Sequence, residues 1–443
     1  DPRRGGKVPL KEYVFRDPVH GDISVQDPTI IELINAPEFQ RLRRIRQLGT
    51  SFISYPGAEH TRFAHSIGVY HLMKRVLDHL LAREPGLLDP ETRVLAMAAA
   101  LLHDIGHGPF SHLFEKLTGM NHEEWVVRIL TDPGTEVNRV LRERDPAWPE
   151  RAAALVSGRW EGPPFVAELL SSQLDVDRMD YLLRDSLMCG VSYGRYDLER
   201  LLSTLTVWPG PRGPELMVAA KGQSAVEAFL LARYFMYWNV YFHKATRAVE
   251  VLLEKLLQRV LDLLQAGMDE VLAGVAPALV PVLRRETPSL DQYLSLDEVD
   301  VLAAIKVWAE SRDPVLADLA RRFLHRRLFK GVRLTSPPGP ALWERLLEEV
   351  AAAGFNPPGY YLGVDRTENV AYTYYYLPPE EGHRHPIRIL DTAGGRPRIE
   401  EISRRSRVLA GITEPVARYV LFLPKEVANG VMPLLEPQLL FDL

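Results

Sequence analysis

Histidines are concentrated in one stretch of this chain. Of the 13 histidines in 443 residues, eight lie between positions 60 and 122, where a random scatter would place about two. They are His60, His65, His71, His79, His103, His107, His112 and His122. Imidazole is a common metal ligand and is suited to proton transfer near neutral pH. The concentration therefore predicts a metal or acid–base site in this stretch.

The pair His103–Asp104 is the most distinctive of these positions. It lies at the end of residues 91–105, an apolar stretch without Gly or Pro that is typical of a buried helix. A buried carboxylate is costly unless it is paired or bound to a metal, and imidazole with carboxylate suits ions such as Mn, Fe, Zn or Mg. Neighbouring side chains on a helix diverge by about 100°, so other segments must complete such a site. A single His–Asp pair also arises by chance, as a cap or a core pair.

Two further predicted helices can complete the site. His65 lies in the helical segment RFAHSIGVYHL, and Asp177 lies in the segment LDVDRMDYLLRD. A carboxylate that faces the interior of a helical bundle again requires a cation. Because these residues accompany the His–Asp pair, the sequence favours a metal site over a chance pair. The predicted ligands are His65, His103, Asp104 and Asp177.

Cations and further histidines surround the predicted ligands. Arg62 lies three residues before His65, Arg178 directly follows Asp177, and Lys244 lies on a later predicted helix. Cations beside a divalent ion are what a polyphosphate substrate requires, although most Arg and Lys side chains are simply solvated. The remaining histidines suit proton transfer or phosphate binding, and Glu115 is placed to orient one of them. Taken singly, each fits a structural role equally well.

Composition limits the class of protein. Hydrophobic residues make up 46%, charged residues 25%, and the net charge is -5, which is ordinary for a globular protein and argues against coating nucleic acid by bulk charge. A single cysteine, Cys189, excludes an intrachain disulfide and fits a reducing compartment. Residues 1–11 do not resemble a signal peptide, and the longest apolar run, 94–102, is shorter than the roughly 20 residues of a membrane helix. We expect a cytoplasmic protein with no membrane partner.

The elements that position these residues are predicted to be mostly helices. Apolar spacing predicts helices at about 37–48, 63–82, 91–105, 111–117, 122–131, 135–143, 150–157, 165–186, 223–266 and 297–331. After a proline-rich boundary near residue 335 we expect a helix at 340–353 and strands at 359–364, 369–377, 386–392 and 417–423, with a strand pair near 206–220. The predicted fold is mostly α, with a helical body over residues 1–335 and a smaller α+β C-terminal region over residues 336–443.

Several linked motifs resemble a known family. They are HTRFAHSIGVYHL, LLHDIGHGPFSHLFE, NHEE and LDVDRMDYLLRD, with FRDPVHGDI and FQRLRRIRQLG before them. They are similar to the HD-domain deoxynucleoside triphosphate triphosphohydrolases, a family that includes bacterial dGTPase-like enzymes and the human sterile-alpha-motif and HD-domain restriction factor. The resemblance is close over about residues 12–250 and looser to about 335. It implies a helical HD-type core that converts a dNTP to a deoxynucleoside and inorganic triphosphate.

The resemblance also implies roles for individual residues. The metal ligands match His65, His103, Asp104 and Asp177, with a divalent ion (Mg, Mn, Fe, Zn, Co or Ni) as cofactor. Phosphate-binding or hydrolytic positions match Arg62, His107, His112, Arg178, Tyr181 and, in a looser alignment, Arg233. The positions that support the catalytic His107 match Glu115, where close relatives have Asp, and His122. A deoxyribose pocket, where tight packing rejects a 2′-hydroxyl, matches Gln47, Leu48, Asp185 and Tyr241. The leaving oxygen would receive its proton from His112 or from the His107–Glu115 group.

Regulation is the part of the resemblance from which this sequence departs. Relatives are often tetramers that nucleotides activate at subunit interfaces, and the basic positions of those sites match Arg43, Lys244, Arg326 and Lys330. Asn35 stands where close relatives have an Asp that reads guanine, and an amide is a poorer partner for two N–H donors. Tyr13 stands where a phosphate-binding Lys is expected. We expect a homo-oligomer (a dimer or tetramer) with a nucleotide activator, and the departures argue against guanine activation of the familiar kind.

Two other functions would use the same residues. A nuclease or nucleotide phosphodiesterase needs the same metal chemistry and a positive groove, which the overall charge does not favour. Residues 321–333 are rich in Arg and are either a solvated helix face or a nucleic-acid patch. A non-catalytic nucleotide sensor would keep the pocket without turnover, but a dead site has no physical need for four converging metal ligands. Nucleic acid is therefore a less favoured partner than a dNTP.

Overall fold

A computed structural model of the chain describes residues 12–111, 114–115, 119–369, 386–410 and 416–439. The α-helices of these ranges are α1 (Pro28–Asn35), α2 (Pro37–Gln40), α3 (Arg62–Arg83), α4 (Pro90–Leu102), α5 (His122–Thr131), α6 (Glu136–Arg144), α7 (Trp148–Val156), α8 (Pro164–Leu170), α9 (Val176–Met188), α10 (Leu198–Thr204), α11 (Gln223–Met236), α12 (Lys244–Gln265), α13 (Leu279–Leu283), α14 (Leu290–Ser295), α15 (Glu298–Trp308), α16 (Pro314–Leu324), α17 (Pro340–Ala352), α18 (Ile402–Arg405), α19 (Arg407–Ala410) and α20 (Ala428–Leu435). The strands are β1 (Tyr13–Asp17), β2 (Gly21–Val25), β3 (Leu205–Gly210), β4 (Gly213–Ala219), β5 (Lys330–Leu334), β6 (Gly363–Asn369), β7 (Arg388–Asp391), β8 (Arg398–Glu401) and β9 (Val416–Leu423). The prediction of a mostly α fold with small sheets is confirmed.

The small sheets connect distant parts of the chain. Antiparallel β1 and β2 form a hairpin, and β9 lies between β5 and β6 in a three-stranded sheet. The third sheet has the order β3-β4-β7-β8, and its parallel pair places Val218 opposite Ile389. Strands near the C-terminus therefore extend a sheet that begins in the helical body.

Two buried apolar clusters form the core. The first combines side chains of residues 23–240 with those of residues 387–409. The second is built mainly from residues 248–435, and Phe110, Phe114 and Trp125 join it from the histidine-rich stretch. That stretch therefore lies where the two clusters meet. The predicted division of the chain at residue 335 stays a prediction.

Helix α4 brings the His–Asp pair to its end. Asp89 caps the helix by accepting a hydrogen bond from the amide of Thr92 at 2.8 Å, and Pro90 occupies the first turn. Its side chains from Val94 to Leu102 are buried. The helix ends at Leu102, before the predicted residue 105, and the chain turns through His103 and Asp104. This turn places both side chains at the helix edge, as a shared ion requires.

Other predicted helices are interrupted. Residues 37–48 form α2 and a 3-10 turn before the chain becomes extended at Ile45. Residues 165–186 divide into α8 and α9, because Asp175 caps α9 through the amide of Arg178 at 2.8 Å. Residues 223–266 divide at a π-helical turn, Tyr237–Tyr241, and residues 297–331 divide into α15, α16 and the start of β5. Most of the predicted strand 369–377, and part of the predicted helix 111–117, lie outside the described residues.

We also asked whether any helix in the described ranges could cross a membrane. None of the helices there combines the length and the apolar character that a bilayer crossing requires.

Candidate active site

Three segments of the chain converge on one buried point. His65 comes from α3, His103 and Asp104 from the turn after α4, and Asp177 from the first turn of α9. One potential ligand atom from each of His65, His103 and Asp104 lies within 4.8 Å of the others. The Oδ1 atom of Asp177 lies 3.0 Å from Nε2 of His65 and 3.6 Å from Nε2 of His103. The structure thus brings together all four predicted ligands.

The two imidazoles are held with Nε2 facing this point. Nδ1 of His65 lies 2.8 Å from Oδ2 of Asp180, and Nδ1 of His103 lies 2.9 Å from the carbonyl oxygen of Ala100. Because both partners are acceptors, the proton of each neutral ring lies on Nδ1, and Nε2 is then the nitrogen that can bind a metal ion. Both Nε2 atoms are buried and make no hydrogen bond to a described residue. Such buried atoms are rare without a partner, so this donor set fits a divalent metal ion.

The charges at this point also favour a cation. Burial opposes protonation of His65, but the carboxylates of Asp177 and Asp180 raise its pKa to about 10. Burial favours the neutral form of Asp104, but Arg62 and the nearby imidazoles hold the pKa of that carboxyl well below its usual value. Burial acts in the same way on Asp177, whose pKa is nevertheless lowered by the two histidines. Both carboxylates therefore stay ionised and attract positive charge to this point, where a divalent ion would take the place of the proton that His65 otherwise holds.

Asp180 is a supporting residue that the sequence analysis did not assign. Besides His65, its carboxylate contacts Nε2 of His20 at 2.7 Å and Nε of Arg184 at 2.8 Å. Arg184 in turn donates to Oδ2 of Asp17 at 2.7 Å. The i,i+4 spacing of Asp180 and Arg184 within a helix is a signal that could have revealed this pair. The contact with His20, 160 positions away, has no local signal.

A glycine in α3 makes room for Asp180. A Cβ atom at Gly68 would lie 1.9 Å from Oδ1 of Asp180 and 2.5 Å from a terminal nitrogen of Arg184. Any side chain at this position would therefore displace the carboxylate that orients His65. The glycine is required by the close approach of α9 to α3.

Arg62 links the ligand residues to the loop that follows them. Its guanidinium pairs with Asp104 and donates to Oγ of Ser111 at 2.7 Å. Nε2 of His107 lies 3.3 Å from Oδ1 of Asp104, and its ring stacks on His122 with centroids 3.9 Å apart. Burial, together with the charge of Arg62, lowers the pKa of His107 well below its usual value. The resting imidazole of His107 is therefore neutral.

Glu115 orients His122. Its carboxylate accepts hydrogen bonds from the backbone amide of His122, at 2.7 Å, and from Nδ1 of the same residue. Glu115, His122 and His107 therefore form one group, as the sequence analysis expected. His112 lies outside the described residues.

A group of cations and tyrosines lies on the other side of Asp177. Arg178 pairs with Asp175, and Arg233 donates to the amide oxygen of Gln173 at 3.0 Å. Both arginines keep a buried Nε that makes no hydrogen bond to a described residue. The buried hydroxyl of Tyr181 lies close enough to both arginines and to Asp177 to interact electrostatically with all three. Two N–H donors thus remain available for an anion beside the ligand residues.

A second polar cluster consists of His60, Asp185 and Tyr241. We call it the sugar cluster because the sequence analysis expected Asp185 and Tyr241 to line a deoxyribose pocket. Asp185 contacts Nε2 of His60 at 2.7 Å and accepts from the hydroxyl of Tyr241 at 2.9 Å. The rings of Tyr241 and Tyr181 meet edge to face at 6.2 Å, so the sugar cluster adjoins the cations near Asp177. The amide of Gln47 donates to the carbonyl oxygen of His60 at 3.0 Å, and the adjacent Leu48 is partly buried against the first core. His60 was counted in the sequence analysis but received no role there.

The predicted regulatory cations are at the surface. They are exposed and form no ion pair with a described residue, and they are Arg43, Lys244, Arg326 and Lys330. Asn35 and Tyr13, the two positions that differ from the residues expected in close relatives, contact each other. Nδ2 of Asn35 donates to the hydroxyl of Tyr13 at 3.2 Å.

Comparison with known proteins agrees with this geometry. Residues 62–185 match the model of the HD domain, and residues 196–289 match the HD associated region. Uncharacterized protein YwfO of Bacillus subtilis is 40% identical over 418 residues, which cover 94% of this chain and 93% of YwfO. A crystal structure of a phosphohydrolase from Bacteroides thetaiotaomicron superposes with a TM-score of 0.79 at 29% identity, over 93% of this chain and 100% of that one.

The fold and the converging ligands therefore define an HD-domain phosphohydrolase. The chain belongs to the HD-domain family that includes YwfO. Its homologues also include human deoxynucleoside triphosphate triphosphohydrolase SAMHD1, which is 27% identical over 389 residues, or 77% of this chain and 59% of SAMHD1.

Proposed function

We propose that this chain hydrolyses deoxynucleoside triphosphates to deoxynucleosides and inorganic triphosphate. The observation that carries the proposal is the pair of buried Nε2 atoms, of His65 and His103, that face two ionised carboxylates beside buried arginines. The relationship to SAMHD1, whose name states this activity, supports the choice of substrate.

The proposed reaction divides its tasks among the residues around the four ligands. A divalent ion held by His65, His103, Asp104 and Asp177 would act as a Lewis acid that polarises a phosphate oxygen. Arg178 and Arg233 would bind the polyphosphate through their available Nε–H groups, because charge-assisted hydrogen bonds to phosphate are strong. Arg62 would hold Asp104 and Ser111 in place and keep positive charge beside the phosphates.

Proton transfer to the leaving oxygen is assigned to the histidines of the following loop. His107 lies beside Asp104, and Glu115 keeps the proton of His122 on Nδ1. The candidates for the donor are His112 and the group of His107 and Glu115, in which His107, neutral at rest, would first have to gain a proton. The identity of the donor is a proposal from the family resemblance.

The sugar cluster is the proposed site of the deoxyribose. Because Asp185 is held by two partners, His60 and Tyr241, it cannot move aside without leaving buried polar groups unpaired. A rigid wall of this kind discriminates against a substrate with an added 2′-hydroxyl. Gln47 and Leu48 would form the neighbouring part of the pocket.

We further propose a cytoplasmic homo-oligomer, a dimer or tetramer, with a nucleotide activator bound by the four exposed cations. The absence of ion pairs at these cations, within the described part of the chain, supports an anionic partner. The Asn35–Tyr13 contact supports an activator other than the guanine nucleotide of the familiar kind.

The test is a product assay with each dNTP, singly and mixed, with Mn²⁺ or Mg²⁺. We expect inorganic triphosphate and deoxynucleoside, separated by ion-exchange chromatography, and no product from His103→Ala. The exposed His325 provides a matched control, since His325→Ala removes an imidazole far from the ligand residues in sequence. Binding of dNTP without turnover would indicate a sensor, and cleavage of single-stranded DNA alone would indicate a nuclease; either result would contradict the proposal.

A further inference from the structure

The loop of residues 106–111, which we call the catalytic loop, carries His107 and has an unusual backbone. Phe110 and Ser111 both have a left-handed conformation, with φ of 54° and 52°. Residues other than glycine rarely adopt this conformation, and it persists only where the surroundings hold it in place. Ser111 is also the residue whose hydroxyl accepts from Arg62. The conformation of the loop therefore affects both His107 and Arg62.

A segment distant in sequence contacts this loop at several backbone atoms. It is residues 290–298, which comprise α14 and the start of α15 and which we call the brace. It follows directly after residue 289, where the match to the HD associated region ends. Its side chains Tyr293 and Glu298 are each 1% exposed. Neither family model covers the brace.

Tyr293 holds the start of the catalytic loop. Its hydroxyl donates to the carbonyl oxygen of Gly106 at 2.6 Å, and burial raises the pKa of Tyr293 to about 12, so the donor proton is retained. The ring is fixed by Trp125, on which it stacks with centroids 3.7 Å apart and planes within 1°. A Cβ atom at Gly108 would lie 3.3 Å from the same hydroxyl, so the loop passes close to it.

Arg41 connects the brace to His107 itself. Its Nε donates to the carbonyl oxygen of Leu296 at 2.8 Å, and its Nη1 donates to the carbonyl oxygen of His107 at 2.9 Å. The side chain is 1% exposed and lies over the ring of Tyr293, 5.2 Å from the centroid. The backbone of His107 is thus tied to that of the brace through one buried guanidinium.

Glu298 holds the end of the loop. Its Oε1 accepts from the left-handed Phe110 amide at 3.4 Å and from the Arg46 amide at 2.9 Å, and its Oε2 accepts from Nη1 of Arg46 at 2.5 Å. The two bonds from Arg46 fix this buried carboxylate, so it holds an acceptor oxygen in place for the amide of Phe110.

From these contacts we infer that the brace is a positioning element that fixes the catalytic loop, with Tyr293 and Glu298 as positioning residues for His107 and Arg62. The inference rests on the proposed function, because the reaction that the brace would affect is the hydrolysis of a dNTP. Small displacements of a catalytic group reduce the rate of the chemical step more than they reduce binding of the substrate. The brace is therefore expected to affect kcat more than binding of the substrate or of the metal ion.

The test uses the full-length chain and the variant Tyr293→Phe, which removes one hydroxyl and keeps the stacked ring. We expect kcat for a dNTP to fall about tenfold, with KM within about twofold and the bound Mn²⁺ per chain unchanged. Hydrogen–deuterium exchange of the amides of residues 106–111 should become faster. Tyr360→Phe is the matched control, because it removes a hydroxyl that contacts Asp262 in the second core, outside the brace.

Glu298 provides a second pair of variants. Glu298→Gln keeps one acceptor oxygen for the two amides, so it should lose less kcat than Glu298→Ala. If Tyr293→Phe and Glu298→Ala leave both kcat and loop exchange as in the wild type, the inference is wrong. It is equally wrong if Tyr360→Phe changes kcat as much as Tyr293→Phe. If the wild type hydrolyses no dNTP, the proposed function fails, while exchange of the loop still tests the brace.

Discussion

The four metal-ligand residues and the four exposed cations differ in how their charges are satisfied. Around the ligand residues, buried carboxylates and imidazoles can be balanced only by the chain or by a bound ion. Water can satisfy the exposed cations, and any geometry of those side chains is then tolerated. Burial therefore makes the ligand residues specific to one arrangement, whereas exposure leaves the four cations open to several partners.

The largest effect is expected from removal of a ligand. In His103→Ala the imidazole that faces Asp177 is lost, and we expect activity to fall at least about a thousandfold, since Lewis-acid stabilisation is worth several kcal/mol. The bound metal per chain should fall with it, as measured by mass spectrometry of the elements. Near-normal activity in folded His103→Ala would contradict the claim that the buried ligand residues are more strongly constrained than the exposed cations.

A smaller effect is expected from the residue behind a ligand. Asp180→Asn keeps the size of the side chain but removes the charge that holds His65 and Arg184. We expect metal affinity to fall about 10- to 100-fold, as is typical for groups that orient a metal ligand. Titration with Mn²⁺ measures this. The exposed Asp78 is the control, because Asp78→Asn should bind metal as the wild type does. An equal loss of metal affinity in both variants would contradict the role of Asp180 in orienting His65.

The sugar cluster should show a more selective effect. Tyr241→Phe removes the hydroxyl that fixes Asp185, and we expect the preference for dNTP over rNTP, as a ratio of kcat/KM, to fall about tenfold. Competition assays with a dNTP and the matching rNTP report this ratio. An unchanged preference would place sugar discrimination elsewhere in the chain.

The smallest effect is expected on the exposed face. Lys330→Gln removes one charge that forms no ion pair with a described residue, so the free energy of unfolding should change by less than about 0.5 kcal/mol. Urea denaturation measures this change. The same variant should weaken stimulation by added nucleotides. A large loss of stability would show that this face is as strongly constrained as the metal centre.

The sequence was informative where chemistry and local spacing coincide. His103 and Asp104 lie at the end of a predicted apolar helix, and Asp177 lies within another predicted helix, so the ligand residues were predicted from periodicity and from the cost of burying charge. The mostly α fold was predicted for the same reason.

Contacts between distant segments carry no such local signal. Tyr293 contacts Gly106 across 187 positions, and Glu298 contacts Phe110 across 188. The division of 165–186 into two helices was missed for a different reason, since its cap, Asp175, is a local signal that the prediction of one long helix did not use.

The most direct test of the account is a crystal structure of the protein grown with Mn²⁺, with anomalous diffraction data. The account predicts one strong anomalous peak between Nε2 of His65, Nε2 of His103 and the carboxylates of Asp104 and Asp177. A map with no peak there, and with both Nε2 atoms hydrogen bonded to the protein instead, would contradict it.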